Sequence, residues 1–164
     1  MIIQFINKFV KPGSAGMEVR IKEIKEFVAN KTRSKWLNDP LIRKFLGYKP
    51  SFSISEFFEK PAFSFNYEIY IGKKLIGDIK VFGNHSDLKK KMAQILLVLG
   101  ESRGKGIGTT ALAMLLGQLK KMFDTVYCNV NRYNIASIKM LKKNGFLIRD
   151  IKGSDVIFYK RLSA

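Results

Sequence analysis

The chain has 164 residues, carries a formal net charge of +17 and is 46% hydrophobic, with 13 phenylalanines. This length predicts one domain, and the hydrophobic content excludes a disordered chain despite the charge. No apolar run approaches the roughly 20 residues that cross a bilayer, and the opening residues lack the length and flanks of a signal peptide. A single Cys and a single His exclude an intramolecular disulfide and the usual Cys-paired or His-paired metal sites. We therefore expect a cytoplasmic protein with no metal and no membrane partner.

The positive charge alone leaves several partners open. It is compatible with nucleic acid, an anionic membrane surface, a phosphorylated ligand, or a surface whose lysines are only solvated. Lys greatly outnumbers Arg, which favours solvated lysines, and the basic residues are dispersed rather than clustered on one predicted helix. The sequence therefore does not require nucleic acid as a partner.

The beginning of the chain is set off by a break rich in Pro and Gly at residues 12–16. We interpret residues 1–16 as an N-terminal extension or first strand of a single domain that spans residues 1–164. Residues 17–21 alternate loosely between apolar and polar side chains, which predicts another strand.

Two helices are predicted next. The apolar residues of 23–37 recur at nearly helical spacing, which predicts one helix over that range. Residues 38–40, Asn-Asp-Pro, end this helix and begin a second one over 41–46, with the proline in its first turn. Residues 51–61 then predict a loop that contains a short helix at 56–60.

The middle of the chain has the period of β-strands. Phe63 to Ile71 alternates apolar and polar residues, and a Gly-Lys-Lys turn connects it to a return strand over 75–82. A polar turn at 83–87 contains the single histidine, His85, which we expect to be exposed. The continuously apolar run within 92–99 is typical of a central strand. These three segments predict an antiparallel meander.

The remainder alternates helices and strands. Asn134 is a candidate N-cap, and Gly145 occupies the C′ position of the helix that follows it. The fold class is therefore predicted as mixed α/β, with a mostly antiparallel sheet of six to seven strands flanked by about four helices. The predicted elements of this part are a helix at 107–123, a strand at 125–130, a helix at 134–144, and a hairpin of strands at 146–152 and 155–161.

The most informative segment follows the central strand and reads Arg103-Gly104-Lys105-Gly106-Ile107-Gly108-Thr109. Glycine lets the backbone approach a ligand closely, and the first turn of a helix presents unpaired N–H groups with positive dipole character. Together these features predict a cradle for phosphate or pyrophosphate. The spacing fits neither a P-loop, which needs Gly-Lys followed by Ser or Thr, nor the G-x-G-x-x-G dinucleotide fingerprint.

This segment resembles the R/Q-x-x-G-x-G/A signature of the GNAT superfamily of N-acetyltransferases. Residues 134–146 resemble a second motif of that family, N-x-x-[AS]-x-x-x-[YL]-x-K-x-G-F, and Leu75-Ile76-Gly77 matches its third-strand L-I-G. Trp36-Leu37-Asn38-Asp39-Pro40 is similar to the W-x-N-D-P segment of the branch that includes ribosomal-protein N-terminal, spermidine and aminoglycoside acetyltransferases. The resemblance runs from about Met17 to the C-terminus and implies a GNAT-like fold.

The resemblance implies transfer of acetyl from acetyl-coenzyme A to a primary amine by direct attack on the thioester. The central strand would splay from the strand at 127–131 to admit the pantetheine arm, and Val98 and Leu99 would polarise the carbonyl through their backbone. The glycine-rich loop would hold the pyrophosphate, and Lys139, Lys142 and Lys143 could meet the phosphates together with the loop lysine. The implied coenzyme A-binding residues are Leu97, Val98, Leu99, Arg103, Gly104, Lys105, Gly106, Ile107, Gly108, Thr109, Asn134 and Ser137.

Acid–base chemistry is required because a free amine is mostly protonated at neutral pH. Glu101, just past the central strand, is the candidate base, and Glu68 and Asp78 are alternatives. Many relatives place a tyrosine four residues before the Gly-Phe to protonate the departing thiolate, but this chain has Leu141 there. The nearby substitutes in the sequence are Tyr133, which we name as the candidate acid, and Tyr127.

The W-x-N-D-P segment is the candidate acceptor site. Trp36 would line it and Asp39 would anchor a cationic amine, although packing of the two short helices explains the same residues. Aromatic residues cluster nearby, and the mid-strand Cys128 is expected to be a buried core residue rather than a nucleophile. The neighbouring aromatics are Phe45, Tyr48, Phe52 and Phe57.

The acceptor itself stays open at this point. A protein N-terminus, a polyamine, an aminoglycoside or an amino sugar would fit the branch, and the positive charge disfavours polycations and favours an anionic molecule that bears an amine. Two other functions compete with acetyl transfer: a catalytically silent, coenzyme A-binding regulator, and a basic nucleic-acid-binding module. A homodimer is a further expectation, since dimers are frequent in the family.

Overall fold

The computed structural model describes residues 18–46 and 61–163. In these two segments, seven strands form one sheet and five helices accompany it. The strands are β1 (Val19–Ile24), β2 (Phe63–Ile71), β3 (Lys74–Gly83), β4 (Met92–Leu99), β5 (Thr125–Asn131), β6 (Leu147–Lys152) and β7 (Asp155–Arg161). The helices are α1 (Lys31–Leu37), α2 (Pro40–Leu46), α3 (His85–Lys89), α4 (Ile107–Leu119) and α5 (Ile135–Lys143).

The sheet has the strand order β1-β2-β3-β4-β5-β7-β6. Every neighbouring pair is antiparallel except β4 and β5, which run parallel. A parallel neighbour requires a crossover connection, and α4 provides it. The predicted meander, the closing hairpin and the mixed, mostly antiparallel fold class are therefore confirmed.

The pairing between β4 and β5 is short. It runs from Met92↔Thr125 to Gln94↔Tyr127 and stops there. On its other side, β4 remains paired with β3 as far as Leu99, opposite Gly77. The C-terminal part of β4 therefore parts from β5 while staying in the sheet, and this separation opens the cleft described below.

The larger hydrophobic core lies between the sheet and α4. The apolar residues of α4 recur at helical spacing, so one side of the helix is buried while Ala113 and Gly117 on the other side are exposed. Sheet residues such as Ile79, Val81 and Phe158 are fully buried against this helix cluster. The buried α4 residues are Ile107, Gly108, Ala111, Leu112, Leu115, Leu116 and Leu119.

A buried ion network connects α1 to the sheet. The Arg33 side chain, 3% exposed, donates from Nε and Nη2 to the two carboxylate oxygens of Asp78 at 2.8 and 2.9 Å. Its Nη2 also donates to Glu68 at 2.6 Å, and Tyr70 donates to the other Glu68 oxygen at 2.7 Å. Burial raises the pKa of Asp78, and the bonds from Arg33 oppose that rise. The network fixes α1 against β2 and β3.

Three sequence predictions differ from the structure at element boundaries. The helix predicted over 23–37 is wrong at its start, because β1 continues to Ile24 through pairing with β2, and α1 begins only after its N-cap Asn30. The helix predicted over 107–123 ends at Leu119, because Phe123 instead packs its ring on two phenylalanines of β2. His85 is exposed as expected, but it starts α3 rather than lying in a turn.

The predicted N-terminal piece at 1–16 and the short helix at 56–60 lie outside the residues that the structure describes. Within the described segments, no helix combines the length and apolar character needed to span a membrane.

Replacing Arg33 by Met tests the ion network. The variant leaves the buried Asp78 and the half-buried Glu68 without their cation, and we expect it to lose about 3–5 kcal/mol of unfolding free energy. Urea denaturation followed by circular dichroism measures this loss. The Arg33→Met/Asp78→Asn double variant should lose less than the sum of its single variants, because the uncompensated charge is smaller; additive losses would contradict the proposed role of the network.

Candidate active site

The cleft between the separated ends of β4 and β5 has a volume of about 650 Å³. Its walls come from β4, from the start of α4, from α5 and from α2. The lining is mostly apolar, and its charged members are cationic: Arg103, Lys139 and Lys143. The lining residues are Leu41, Ile42, Phe45, Leu46, Ile95, Leu96, Leu97, Val98, Leu99, Arg103, Gly104, Gly106, Ile107, Gly108, Thr109, Leu112, Cys128, Asn129, Val130, Asn134, Ile135, Ala136, Ser137, Lys139, Met140, Leu141 and Lys143.

The glycine-rich loop enters α4 through left-handed backbone. Gly104 and Gly106 have φ of +79° and +75°, values that L side chains adopt only with strain. Gly106 is the N-cap of α4, and no side chain caps the helix there. The first-turn N–H groups of α4 therefore face the cleft without a side-chain acceptor, which is the arrangement that binds phosphate at a helix N-terminus.

A third glycine, Gly108, lies in the first turn of α4. A Cβ at this position would lie 3.0 Å from the Sδ of Met140 on α5 and 3.1 Å from the Cδ1 of Leu99. Gly108 thus lets α4 approach both α5 and the end of β4, which brings the helix start to the mouth of the cleft.

The helix α5 forms the opposite wall. The Asn134 side chain accepts a hydrogen bond from the Ser137 N–H at 3.2 Å, which confirms Asn134 as the N-cap. Gly145 follows the C-cap at φ +76°, as its predicted C′ position requires. Both Asn134 and Ser137 line the cleft, and they are joined there by Lys139 and Lys143 of the same helix.

The structure joins Arg103 and Asp39. Arg103 donates from Nη2 to the Asp39 Oδ2 at 2.8 Å and from Nε to the Leu99 carbonyl at 3.0 Å. The other oxygen, Oδ1, accepts from the N–H of Leu41 at 2.8 Å and so caps α2. The hydrogen bond from Arg103 holds the pKa of Asp39 below its ordinary value. Asp39 does not line the cleft.

Trp36 is 2% exposed and packs on the backbone of Gly100, where a Cβ would overlap the indole ring. It lies beside the cleft rather than in its lining. Its Nε1 is buried. The predicted acceptor residues Trp36 and Asp39 thus hold the end of β4 and the start of α2 in place.

Glu101 forms an ion pair with Lys74 at 2.5 Å, and neither residue lines the cleft. The hydrogen bond from Lys74 lowers the pKa of the Glu101 carboxyl, so it is ionised at neutral pH. The alternative bases Glu68 and Asp78 are both held by Arg33, as described above.

The two candidate tyrosines and the single cysteine lie in different environments. Tyr133 is 68% exposed and does not line the cleft, and Tyr127 donates its hydroxyl to Asp87 at 3.2 Å. Leu141, where many relatives carry tyrosine, is buried and lines the cleft. Cys128 also lines the cleft but is 5% exposed, and burial raises the pKa of its thiol to about 12. This suits a core residue rather than a nucleophile.

Sequence reasoning missed the role of α2 as a wall. Leu41, Ile42 and Leu46 line the cleft with Phe45, the one α2 residue named among the acceptor-site aromatics. The spacing of apolar residues on this short helix was the available signal. Lys105 belongs to the predicted loop but is exposed and does not line the cleft. The described residues also contain no group of three or more His, Cys, Asp or Glu that could hold a metal.

Residues 21–147 match the family model described as an acetyltransferase (GNAT) domain. Solved structures of acetyltransferases have a similar fold. Spermidine N-acetyltransferase from Vibrio cholerae, in complex with coenzyme A and spermine, has a TM-score of 0.68 and 16% identity, with 87% of this chain and 95% of that chain covered. An aminoglycoside acetyltransferase in complex with coenzyme A has a TM-score of 0.68 and 15% identity, with 86% of this chain and 94% of that chain covered. The ribosomal L7/L12 α-N-protein acetyltransferase RimL has a TM-score of 0.56 and 18% identity, with 63% of this chain and 72% of that chain covered. A search of curated proteins found no significant match.

The packing of Trp36 on Gly100 can be tested by Gly100→Ala. Because the added Cβ overlaps the indole, we expect a loss of about 1–3 kcal/mol of unfolding free energy and a shifted emission of Trp36, the only tryptophan in the sequence. Thermal and urea denaturation, with fluorescence, measure both effects.

Gly117→Ala is the matched control for this prediction. Gly117 is exposed within α4, and a Cβ there meets nothing within 4 Å. Alanine should therefore stabilise the helix by about 0.5–1 kcal/mol. Equal effects of the two substitutions would contradict the steric account of Gly100.

Proposed function

This chain belongs to the GNAT acetyltransferase family, and we propose that it transfers acetyl from acetyl-coenzyme A to a primary amine by direct attack on the thioester. The observation that carries the proposal is that the cleft and an uncapped helix N-terminus lie next to each other. The cleft opened by β4 and β5 is a slot between strands, and it leads to the uncapped N-terminus of α4 behind the glycine-rich loop. A long ligand with a slender, amide-containing arm and a pyrophosphate matches both parts.

The proposed coenzyme A contacts divide along the cleft. Backbone N–H groups from Gly104 to Thr109 would hold the pyrophosphate, and the cations of Lys139 and Lys143 support binding of its phosphates. Residues 97–99 of β4 would contact the pantetheine arm through backbone groups that β5 does not use. The solved relatives that contain coenzyme A support this assignment. Lys105, which is exposed and does not line the cleft, would act only through its charge at the loop.

The proposed base is Glu101, at the end of β4. Its carboxylate is ionised and partly exposed, so it can accept the proton of an incoming ammonium directly or through a water molecule. Lys74, its partner, is 67% exposed. An exposed ion pair contributes little stability, so an acceptor ammonium can replace Lys74 beside Glu101 at low cost.

The leaving group is a thiolate, which needs less help from an acid than an alkoxide would. Leu141 offers no proton, and the high exposure of Tyr133 gives no support to its predicted role, which stays a prediction. We therefore propose that the thiolate leaves without a tyrosine acid and takes its proton from solvent.

The acceptor we propose is a neutral or anionic amine rather than a polycation. The carboxylates named above as candidate anchor or base are already paired: Asp39 with Arg103, Glu101 with Lys74, and the other two with Arg33. The charged groups of the cleft lining are cations. A spermidine or an aminoglycoside, which carries several positive charges, would be repelled by these cations. A homodimer and a cytoplasmic location also stay predictions.

The function is tested by thiol release from acetyl-coenzyme A over a panel of amines, with calorimetry of coenzyme A binding. We expect binding, and turnover with neutral or anionic amines ahead of spermidine and an aminoglycoside. Absence of binding at millimolar coenzyme A would refute the proposal. Binding without turnover on any amine would favour the silent regulator instead.

Gly106→Ala tests the glycine-rich loop. A left-handed alanine costs about 1–2 kcal/mol, so the loop should shift and its N–H groups lose alignment. We expect coenzyme A to bind about fivefold to tenfold more weakly by calorimetry. Gly153→Ala is the matched control, because Gly153 has φ +60° and an equally open environment but lies in the β6–β7 turn. It should lose similar stability and retain coenzyme A affinity; equal losses of affinity would contradict the loop assignment.

Glu101→Gln and Lys74→Gln test the base. The first should lower kcat about 100-fold, within the usual range for general bases. In the second, removal of the ammonium takes away the interaction that lowers the pKa of Glu101. The acidic limb of kcat/KM against pH, which reports the free enzyme in which Lys74 is still paired, should then move to higher pH. A pH profile unchanged in Lys74→Gln, or full activity of Glu101→Gln, would remove Glu101 from this role.

A further inference from the structure

Arg103 and Asp39 belong to different sequence motifs, one in the glycine-rich loop and one at the start of α2. In the structure their side chains meet at 2.8 Å, with about a third of each side chain exposed. The guanidinium of Arg103 also holds the carbonyls of Leu99 at 3.0 Å and Gly100 at 3.4 Å. It therefore connects the end of β4, the loop and α2 at one point.

The helix α2 depends on this connection more than a longer helix would. It has seven residues, none of them fully buried, and Leu41 is 49% exposed. Ile42 and Leu46 pack on a small cluster formed by Leu37 and Val98, apart from the main core. Asp39 provides the cap of α2 with Oδ1 and the contact to Arg103 with Oδ2. The carboxylate thus fixes both the start of the helix and its place beside the loop.

We propose that Asp39 and Arg103 are a positioning pair that couples coenzyme A binding at the glycine-rich loop to the order of α2, the apolar wall of the acceptor side. An anion held by the loop N–H groups fixes the loop backbone and with it the Arg103 guanidinium. The guanidinium then holds Asp39, and Asp39 holds α2 over the cleft. This inference rests on the proposed function, because the loop must bind coenzyme A.

The coupling is reciprocal and modest. A ligand that stabilises α2 through the pair is itself bound more tightly when α2 is ordered. A partly exposed ion pair supports a coupling of about twofold to fivefold. The two residues act on the acceptor side through α2, so they are positioning residues and need not touch either substrate.

Asp39→Ser isolates the pair from the cap. Serine is a good N-cap and can still accept from the α2 N–H groups, but it cannot reach Arg103. Arg103→Gln removes the positive charge of the pair. Arg149→Gln is the control, because it removes one positive charge from the exposed strand β6, far along the sheet from the cleft.

The experiment measures hydrogen exchange of the amides of α2 with and without coenzyme A, together with calorimetry of coenzyme A binding. In the unmodified chain and in Arg149→Gln, we expect coenzyme A to slow α2 exchange about twofold to fivefold. In Asp39→Ser and Arg103→Gln, this ratio should fall to about one, and coenzyme A affinity should weaken by the same factor. A merely structural role would speed exchange equally in both states and leave the ratio unchanged.

The outcomes separate the two proposals. If calorimetry detects coenzyme A binding but the exchange ratio is one in the unmodified chain, or is retained in both pair variants, the positioning inference is overturned and the proposed function stands. If calorimetry detects no binding by the unmodified chain, the proposed function fails and the positioning inference fails with it.

Discussion

Three residue pairs hold β4 beside β5, and the strands then part. The rest of the site depends on this short parallel contact. Since two parallel neighbours need a crossover, the chain must leave the end of β4, pass through α4 and return at the other end of β5. The crossover helix therefore begins where β4 ends, beside the opening. The short parallel contact and its crossover helix thus create an apolar slot and place the positive end of α4 at its mouth.

The other wall is held by interactions of a different kind. The α1 and α2 segment contributes few residues to the main core, so packing alone fixes it weakly. Arg33 anchors α1 to two strands through a buried ion network, and Trp36 lies on Gly100 at the end of β4. Asp39 then caps α2 and meets Arg103. Ionic and steric contacts, each specific in geometry, take the place of a large hydrophobic interface on this side of the sheet.

Local patterns predicted most of the elements, because strand alternation, helical spacing and glycine positions are properties of neighbouring residues. They failed at 23–30, where the apolar spacing resembles a helix but pairing with β2 keeps residues up to Ile24 in a strand. Local patterns could not predict which side chains bind each other in the fold. Arg33 donates a hydrogen bond to Asp78, and Arg103 donates one to Asp39, 64 residues away in the sequence. Motif spacing predicted Arg103 and Asp39 as site residues, but only the fold shows that they bind each other.

The net charge of +17 reflects a shortage of carboxylates, and this shortage affects the cleft. Acidic residues are scarce, at 13 against 30 basic ones, and the carboxylates near the cleft serve as partners of Arg33, Lys74 and Arg103. A carboxylate held by a buried arginine is costly to free, whereas the exposed Lys74 can leave Glu101 at little cost. The cleft lining is left cationic, and the exposed pair with Lys74 supports our proposal that Glu101 exchanges its partner for an acceptor amine.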